Sequence, residues 1–233
     1  AGVMTAVRAP IIDIETLAGQ CGPDLVLANR NAPDQGVLSG PESQIAEAEK
    51  KCRKNGWRAV RLPVAAAFHS SLVAGAAGPF LQAVNRISMA PQKIPVYSNT
   101  TADRYPEDAA SACRLLGGQI ANPVDFIGEL EALFQAGCRV FLEVGPGRVL
   151  TGLARSNLAD KPASVLTMDA SAGKEGHGVV DLARTLCRLA SLGLAVDLTQ
   201  WDSLLPETRT PKMEILLTGA NLQPSSRRLR QPP

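Results

Sequence analysis

The segment of residues 139–152, RVFLEVGPGRVLTG, constrains the fold of this chain more than any other part of its sequence. Its apolar run at 140–144 is typical of a strand buried on both faces of a parallel sheet. Gly145-Pro146-Gly147 ends that run, because glycine adopts backbone angles that a Cβ would block. Apolar residues then return at helical spacing, so the pattern predicts a strand, a turn and a helix start whose N–H groups face a ligand at the carboxyl edge of a sheet. An ordinary β-α turn fits the same short motif, and both interpretations stay open.

Composition sets the broad class of the protein. Its 233 residues are 45% hydrophobic, enough to bury a full core in one or two domains. The net charge of +2 gives no reason to expect a nucleic-acid partner, and the basic run at 227–230 lies in a Ser/Pro-rich tail typical of a flexible linker. No apolar stretch approaches the roughly 18 residues of a membrane span, and no signal peptide is evident, so no membrane partner is predicted. The five cysteines are far apart and form no CxxC pair, which indicates reduced thiols, a cytoplasmic location and no metal site.

Residues 1–62 predict a small domain of their own. Strands are predicted at 3–7, 25–28, 35–39 and 57–62, and helices at 11–21 and 41–55. The second helix carries the clearest signals, because Pro41 suits its first turn, basic residues gather late and Gly56 can cap its end. The resulting order, β-α-β-β-α-β, is the ferredoxin-like pattern.

Residues 63–193 change to alternating helices and strands, which is typical of an α/β fold with a mostly parallel sheet. Helices are predicted at 71–87, 123–135 and 179–191, and strands at 94–97, 140–144 and 165–168. Towards the end of the chain the pattern weakens, and several prolines indicate an extended segment that wraps over a neighbour or links domains. Three regions are therefore expected, at 1–62, 63–193 and 194–233.

The chain contains two histidines, and they differ in context. His177 lies in a glycine-rich loop and is predicted to be a solvated surface residue. His69 follows an apolar stretch of small residues, where it can act as a general base towards a nucleophile across a cleft. A core imidazole satisfied by a backbone carbonyl fits the same residues equally well. No serine, including Ser70 and Ser71, has the G-x-S-x-G context of an activated nucleophile, so the sequence offers a candidate base without its nucleophile.

Four short motifs follow one another along the chain. They are Ala-Phe-His-Ser at 67–70, Pro-Val-Tyr-Ser-Asn at 95–99, Asn-Pro-Val-Asp-Phe at 122–126 and Phe-Leu-Glu-Val-Gly-Pro-Gly at 141–147. Together they resemble the malonyl-type acyltransferase family, which includes free-standing malonyl-CoA:acyl-carrier-protein transacylases and the acyltransferase domains of polyketide and polyunsaturated fatty-acid synthases. Residues 26–40 add a match to the ferredoxin-like subdomain of that family. The resemblance runs from Gly2 to about Met168 and implies part of an α/β-hydrolase-like acyltransferase core with an inserted ferredoxin-like β-α-β-β-α-β subdomain.

The resemblance implies a serine–histidine ping-pong reaction. In the family, a serine in a G-H-S-x-G elbow takes malonyl from coenzyme A and passes it to the phosphopantetheine thiol of an acyl carrier protein. His69 matches the base of this reaction, and imidazole can take up and return a proton near neutral pH. Gln119 occupies the position whose backbone carbonyl orients that histidine. Malonyl-CoA is then the substrate, the acyl carrier protein is the partner, and no cofactor is bound.

Three further residues match positions near the substrate. Asn31 matches an asparagine that lines the active-site cleft, and Asn99 belongs to a strand-end motif near the pocket. The pattern around Phe68 resembles the malonyl-selective form, in which a bulky ring fills the space that an α-methyl group would need. One methyl group is worth about 1–3 kcal/mol of discrimination, so we expect a preference rather than exclusion. Simple core packing of Phe68 is the alternative.

The departures from the family pattern concern catalysis. The elbow serine, a glutamine of the oxyanion hole and an arginine for the malonyl carboxylate all precede the ferredoxin-like subdomain in the family, and this chain begins at that subdomain. We therefore expect an excised portion of a longer protein that is inactive by itself. Ala66 and Ala102 replace a histidine and a glycine of the family motifs.

The end of the chain indicates a place within a multidomain protein. Residues 194–202 resemble the post-acyltransferase linker of multidomain synthases. The expected neighbours are then an upstream acyltransferase half and a ketosynthase domain. The alternative is a non-catalytic structural or docking module of such a synthase.

Overall fold

A computed structural model describes residues 2–173, 177–199 and 201 of the chain. The chain divides into two compact units, residues 1–187 and 188–233. Most of the predicted linker at 194–233, namely Gln200 and residues 202–233, lies outside the described residues. In the second unit, the Trp201 N–H donates to Leu198 O over 3.0 Å.

The first six elements build one sheet with two helices. They are β1 (Gly2–Arg8), α1 (Ile11–Cys21), β2 (Val26–Ala32), β3 (Gln35–Pro41), α2 (Glu42–Lys54) and β4 (Arg58–Arg61). Their order is β-α-β-β-α-β, and the strands lie in the order β4-β1-β3-β2. β1 runs antiparallel to both β3 and β4, and β2 runs antiparallel to β3. Each strand and helix lies within a few residues of its predicted position.

The core of this part forms because both helices place apolar residues on one face. In α1 the buried positions are Ile11, Ile14, Leu17 and Ala18, and in α2 they are Ile45, Ala48 and Cys52. This i, i+3, i+7 spacing makes one continuous apolar stripe per helix. Leu38 of β3 is fully buried in the same cluster. Burial raises the pKa of the Cys52 thiol to about 11, with smaller contributions from the charges of Cys21 and Glu49.

The remaining elements follow in alternation. They are a 3₁₀ turn (Ser71–Val73), α3 (Ala74–Val84), β5 (Tyr97–Ser98), β6 (Asp103–Arg104), α4 (Ala109–Gly118), β7 (Val124–Asp125), α5 (Phe126–Gln135), β8 (Val140–Pro146), α6 (Val149–Asn157), β9 (Ser164–Asp169) and α7 (Gly178–Ser191). β8 and β9 pair in parallel, and β5 and β6 form an antiparallel hairpin. No helix within the described ranges combines the length and the apolar character that crossing a membrane would require.

β7 corrects one predicted boundary. The helix predicted at 123–135 begins only at Phe126, because Val124 and Asp125 pair in parallel with β2 and make it a five-stranded sheet, β4-β1-β3-β2-β7. The Asp125 carboxylate then accepts a hydrogen bond from the Gly128 N–H over 3.1 Å, which caps the helix. The segment that starts α5 is thereby attached to the first sheet.

Two other predicted elements are shorter than expected. The strand predicted at 94–97 is reduced to Tyr97–Ser98, because Pro95 has no N–H and the Val96 N–H donates to the Gln92 side chain over 3.1 Å. The helix predicted at 71–87 starts with the 3₁₀ turn and ends at Val84. Both differences arise at turns whose hydrogen bonds close locally.

The strand at the start of the Gly-Pro-Gly segment is less buried than predicted. Its residues are half-buried or exposed, and the Val144 side chain is 74% exposed. Among the described residues β8 pairs with β9 alone, so the expectation of a strand buried on both faces is wrong for this structure. The parallel pairing itself is as predicted.

Candidate active site

His69 is held by one short turn, formed by residues 119–122. Its backbone N–H donates to Ile120 O over 2.9 Å. Its ring atom Nδ1 lies 3.0 Å from Gln119 O and 3.0 Å from Asn122 O. The imidazole is half-buried and is satisfied by backbone carbonyls, as the alternative of a structural histidine would also require.

These contacts fix the protonation pattern of the ring. Carbonyl oxygens accept hydrogen bonds and cannot donate them, so Nδ1 must carry the proton when it faces Gln119 O and Asn122 O. A neutral His69 then keeps its lone pair on Nε2. Nε2 is therefore the one ring atom at which a neutral His69 in this orientation could take up a proton.

The backbone of His69 is strained. Its φ angle is 58°, in the left-handed region that residues with a Cβ seldom adopt. Such a conformation costs on the order of 1–3 kcal/mol and persists where its surroundings determine it. Here the Ser70 hydroxyl, which is buried, closes the loop by donating to Ala67 O over 2.6 Å. The His69 loop is therefore fixed from both its own side and the 119–122 turn.

Helix α4 delivers the 119–122 turn to His69. Asn122 closes this turn by donating its Nδ2 to Gly118 O over 2.7 Å. Gly117, one residue earlier, lets α4 approach α3 closely, because a Cβ there would lie 2.8 Å from Leu81 Cδ1. Since α3 comes shortly after His69 in the chain, this close helix contact holds the histidine loop beside the turn.

Asn99 joins the same cluster from the end of β5. Its Oδ1 accepts a hydrogen bond from Gln119 Nε2 over 2.7 Å. Its backbone oxygen accepts from the Asp125 N–H over 2.6 Å. The structure therefore brings His69, Gln119 and Asn99, three of the predicted site residues, into one hydrogen-bonded cluster.

Phe68 and Asn31 stand outside that cluster. Phe68 precedes His69 and is 36% exposed within this chain. Asn31 lies on β2, where its backbone oxygen accepts from Asn157 Nδ2 of α6 over 2.8 Å. None of the hydrogen bonds found between described residues connects Asn31 to His69. His177 is exposed, as predicted for a surface residue.

Two contributions escaped the sequence analysis. Asn122 provides a second carbonyl for His69, although the sequence marked it only as the first residue of a motif. Ser70 fastens the histidine loop through its hydroxyl. Its position beside the histidine was the one available signal.

The backbone N–H groups around the Gly-Pro-Gly turn form hydrogen bonds within the chain. The Glu143 carboxylate accepts from the N–H groups of Leu150 and Thr151 over 3.1 and 2.8 Å, and from Thr151 Oγ1 over 2.6 Å. Burial disfavours the charged carboxylate, but the hydrogen bonds from Thr151 outweigh it and lower the pKa of Glu143. The Gly147 N–H donates to Asp169 O over 2.7 Å. These N–H groups are occupied, which favours the ordinary β-α turn over a ligand site.

Comparison with known proteins defines the class of this chain. Residues 1–195 match the family described as acyl transferase domain, and the chain belongs to that family. The predicted resemblance to malonyl-CoA:acyl-carrier-protein transacylases and synthase acyltransferase domains is thereby confirmed, and the mixed α/β fold is similar to theirs.

Individual relatives show how much of such proteins the chain spans. It is 30% identical over 217 residues to the spectinabilin polyketide synthase system protein NorB of Streptomyces orinoci, covering 92% of this chain and 10% of NorB. It is 35% identical over 130 residues to the malonyl CoA-acyl carrier protein transacylase of Bacillus subtilis, covering 55% of this chain and 41% of that protein. The solved malonyl CoA-acyl carrier protein transacylase of Clostridium perfringens is 29% identical with a TM-score of 0.72, covering 82% of this chain and 58% of that one. The chain thus spans less than two thirds of each of these relatives.

Proposed function

We propose that this chain contributes the general base, His69, to the transfer of a malonyl group from malonyl-CoA to the phosphopantetheine thiol of an acyl carrier protein. The observation that carries the proposal is the contact of Nδ1 with two backbone carbonyls, at 3.0 Å each. That arrangement presents the Nε2 lone pair to an incoming hydroxyl or thiol. In the proposed ping-pong sequence, Nε2 removes the proton of a serine as that serine attacks the malonyl thioester, and gives it to the departing coenzyme A thiolate. Nε2 then removes the proton of the carrier-protein thiol as the thiol attacks the malonyl-serine ester, and returns it to the departing serine oxygen.

Backbone carbonyls suit both half-reactions. They hold the imidazole in one tautomer and one orientation without placing a second ionisable group beside it. A hydrogen bond of this kind contributes about 1 kcal/mol net, and the positive φ of His69 adds a further constraint on where the ring lies. The base therefore needs little rearrangement between the two proton transfers.

The substrate and the partner come from the family. The Bacillus subtilis relative is named for malonyl-CoA and acyl carrier protein, and NorB for a polyketide synthase system. We propose that the serine, the oxyanion-hole donors and the arginine for malonate belong to an acyltransferase half outside this chain, and that the chain alone is inactive. A neighbouring ketosynthase domain, a cytoplasmic location and a post-acyltransferase linker at 194–233 belong to the same proposal. No bound cofactor is required.

The architecture fits this assignment. The strand order β4-β1-β3-β2, with the helices α1 and α2 as connections between strands, supports a ferredoxin-like subdomain at 1–62. Part of the acyltransferase core at 63–193 would follow it. The partly exposed ring of Phe68 beside His69 supports its role in preferring malonyl over bulkier groups. Asn31 is proposed to line the cleft from β2.

The test is acyl transfer by the chain expressed together with the serine-bearing segment proposed to precede it. Labelled malonyl-CoA and a phosphopantetheinylated carrier protein are supplied, and labelled carrier protein is counted. His69→Ala should reduce the rate by about 10²–10⁴-fold, the usual contribution of a general base. His177→Ala is the matched control, because His177 is exposed and lies outside the cluster, and it should transfer normally. Equal rates for the two variants would disprove the role of His69 and favour a structural or docking module.

A further inference from the structure

We infer that Asn99 is a positioning residue that acts on His69 through Gln119. The inference deepens the proposed function, since it concerns the same histidine. It begins with the contact between two side chains, in which Gln119 Nε2 donates to Asn99 Oδ1 over 2.7 Å. Gln119 in turn offers its backbone oxygen to His69 Nδ1. Asn99 and His69 are therefore connected by a single intervening residue.

Asn99 is well placed to serve as a fixed anchor. Its backbone oxygen accepts from the Asp125 N–H over 2.6 Å, which ties it to β7 and hence to the five-stranded sheet. The preceding residue, Ser98, is buried, and its hydroxyl accepts from the Thr100 N–H over 3.2 Å. The backbone on both sides of Asn99 is thus fixed independently of the bond between its side chain and Gln119.

Gln119 needs such an anchor because it lies where α4 ends. Residues after the last helical turn lack the regular hydrogen-bond ladder, and their peptide planes can rotate. The Gln119 N–H donates to Leu116 O at 3.2 Å, and the Gln119 oxygen accepts from the Asn122 N–H at 3.4 Å. Both bonds are long and close within one turn, so they hold the carbonyl direction only weakly. Fixing the Gln119 side chain against Asn99 restricts this rotation and keeps the carbonyl aimed at His69.

The donor and acceptor groups of the Asn99 and Gln119 side chains decide which substitutions test the inference. Gln119 Nε2 can only donate, so Asn99 must present an acceptor. Asn99→Ala removes that acceptor, whereas Asn99→Asp keeps an oxygen of nearly the same position and should rescue the contact. Gln119→Ala removes the donor while keeping the backbone carbonyl. A purely structural role for Asn99 would not distinguish alanine from aspartate in the state of the His69 ring.

The readout is the tautomer of His69 in the 233-residue chain, measured by ¹⁵N NMR of the imidazole nitrogens above the pH where the rings are charged. The chain contains two histidines, so the exposed His177 serves as an internal reference. In the unaltered protein Nδ1 should show the shift of a protonated nitrogen and Nε2 that of an unprotonated one. Losing one neutral hydrogen bond changes such a population about two- to tenfold. In Asn99→Ala and Gln119→Ala the two His69 shifts should move towards each other, as in His177, while Asn99→Asp keeps them apart.

The outcomes separate this inference from the proposed function. Unmoved His69 shifts in folded Asn99→Ala or Gln119→Ala would overturn the positioning role, and so would a loss in Asn99→Asp equal to that in Asn99→Ala. If Asn99→Ala does not fold, as judged from its amide spectrum, Gln119→Ala decides the matter, because its backbone carbonyl is retained. Normal acyl transfer by His69→Ala would overturn the proposed function. It would not change the His69 shifts measured in the unaltered protein and in the Asn99 and Gln119 variants, so the two tests are independent.

Discussion

Replacing Gly117 by alanine should separate the two helices that bracket the site. The added Cβ would lie 2.8 Å from Leu81 Cδ1, 2.9 Å from its Cβ and 3.2 Å from its Cα. Moving the end of the Leu81 side chain relieves only the first contact, so α4 must shift against α3. Overpacking of this kind costs about 1–3 kcal/mol, and alanine regains at most about 1 kcal/mol through its higher helix propensity. We expect Gly117→Ala to lower the free energy of unfolding by about 1–2 kcal/mol.

The assay is urea unfolding followed by far-ultraviolet circular dichroism. Gly152→Ala in α6 is the matched control, because a Cβ there meets nothing within 4 Å. With propensity alone at work, that variant should gain about 0.5–1 kcal/mol. The helix-contact argument fails if Gly117→Ala is as stable as Gly152→Ala, since both changes add the same methyl group to a helix.

Two further predictions concern titrating groups. The lowered pKa of Glu143 means that its contribution to stability is present above its ordinary value near 4.5 and is lost as pH falls through its lowered value in the folded protein. Glu143→Gln should therefore be less stable than the unaltered protein at neutral pH, with a difference that disappears in acid unfolding curves; a difference independent of pH would contradict this. Burial raises the pKa of Cys52 from 9.0 to about 11. The contribution of its neutral thiol to the free energy of unfolding is therefore full below pH 9.0 and is lost as pH rises towards 11. Iodoacetamide at pH 8 should label the exposed Cys187 well before Cys52, as followed by peptide mass spectrometry, and early labelling of Cys52 would argue against its burial.

The sequence predicted those helices and strands whose apolar pattern and turn residues lie within the element itself. The helices α1 and α2 follow from one apolar stripe each, and the strands around them from short β-rich runs between turn residues. β7 was hidden inside a predicted helix, because a two-residue strand exists only through its distant partner β2. The exposure of Val144 was likewise invisible, since burial depends on what the rest of the fold places beside a strand.

The site divides in a similar way. The resemblance to the acyltransferases nominated His69 and Gln119, which the structure places in contact. The second carbonyl, from Asn122, and the bond between Asn99 and Gln119 join residues 53 and 20 positions apart, and no local pattern encodes such pairs. The left-handed backbone of His69 had no signal either, because the residue that usually marks that conformation is glycine.

One short segment connects the small sheet with the proposed base. Its first residue, Gln119, offers its carbonyl to His69, and its last, Asp125, pairs with Arg30 of β2 and caps α5. Asn99 bonds to both ends of this segment, through its side chain at Gln119 and its backbone oxygen at Asp125. A displacement of the five-stranded sheet relative to α4 would therefore strain both bonds of Asn99. If His69 is the base that we propose, the same sheet that carries Asn31 helps to fix the direction in which it would accept a proton.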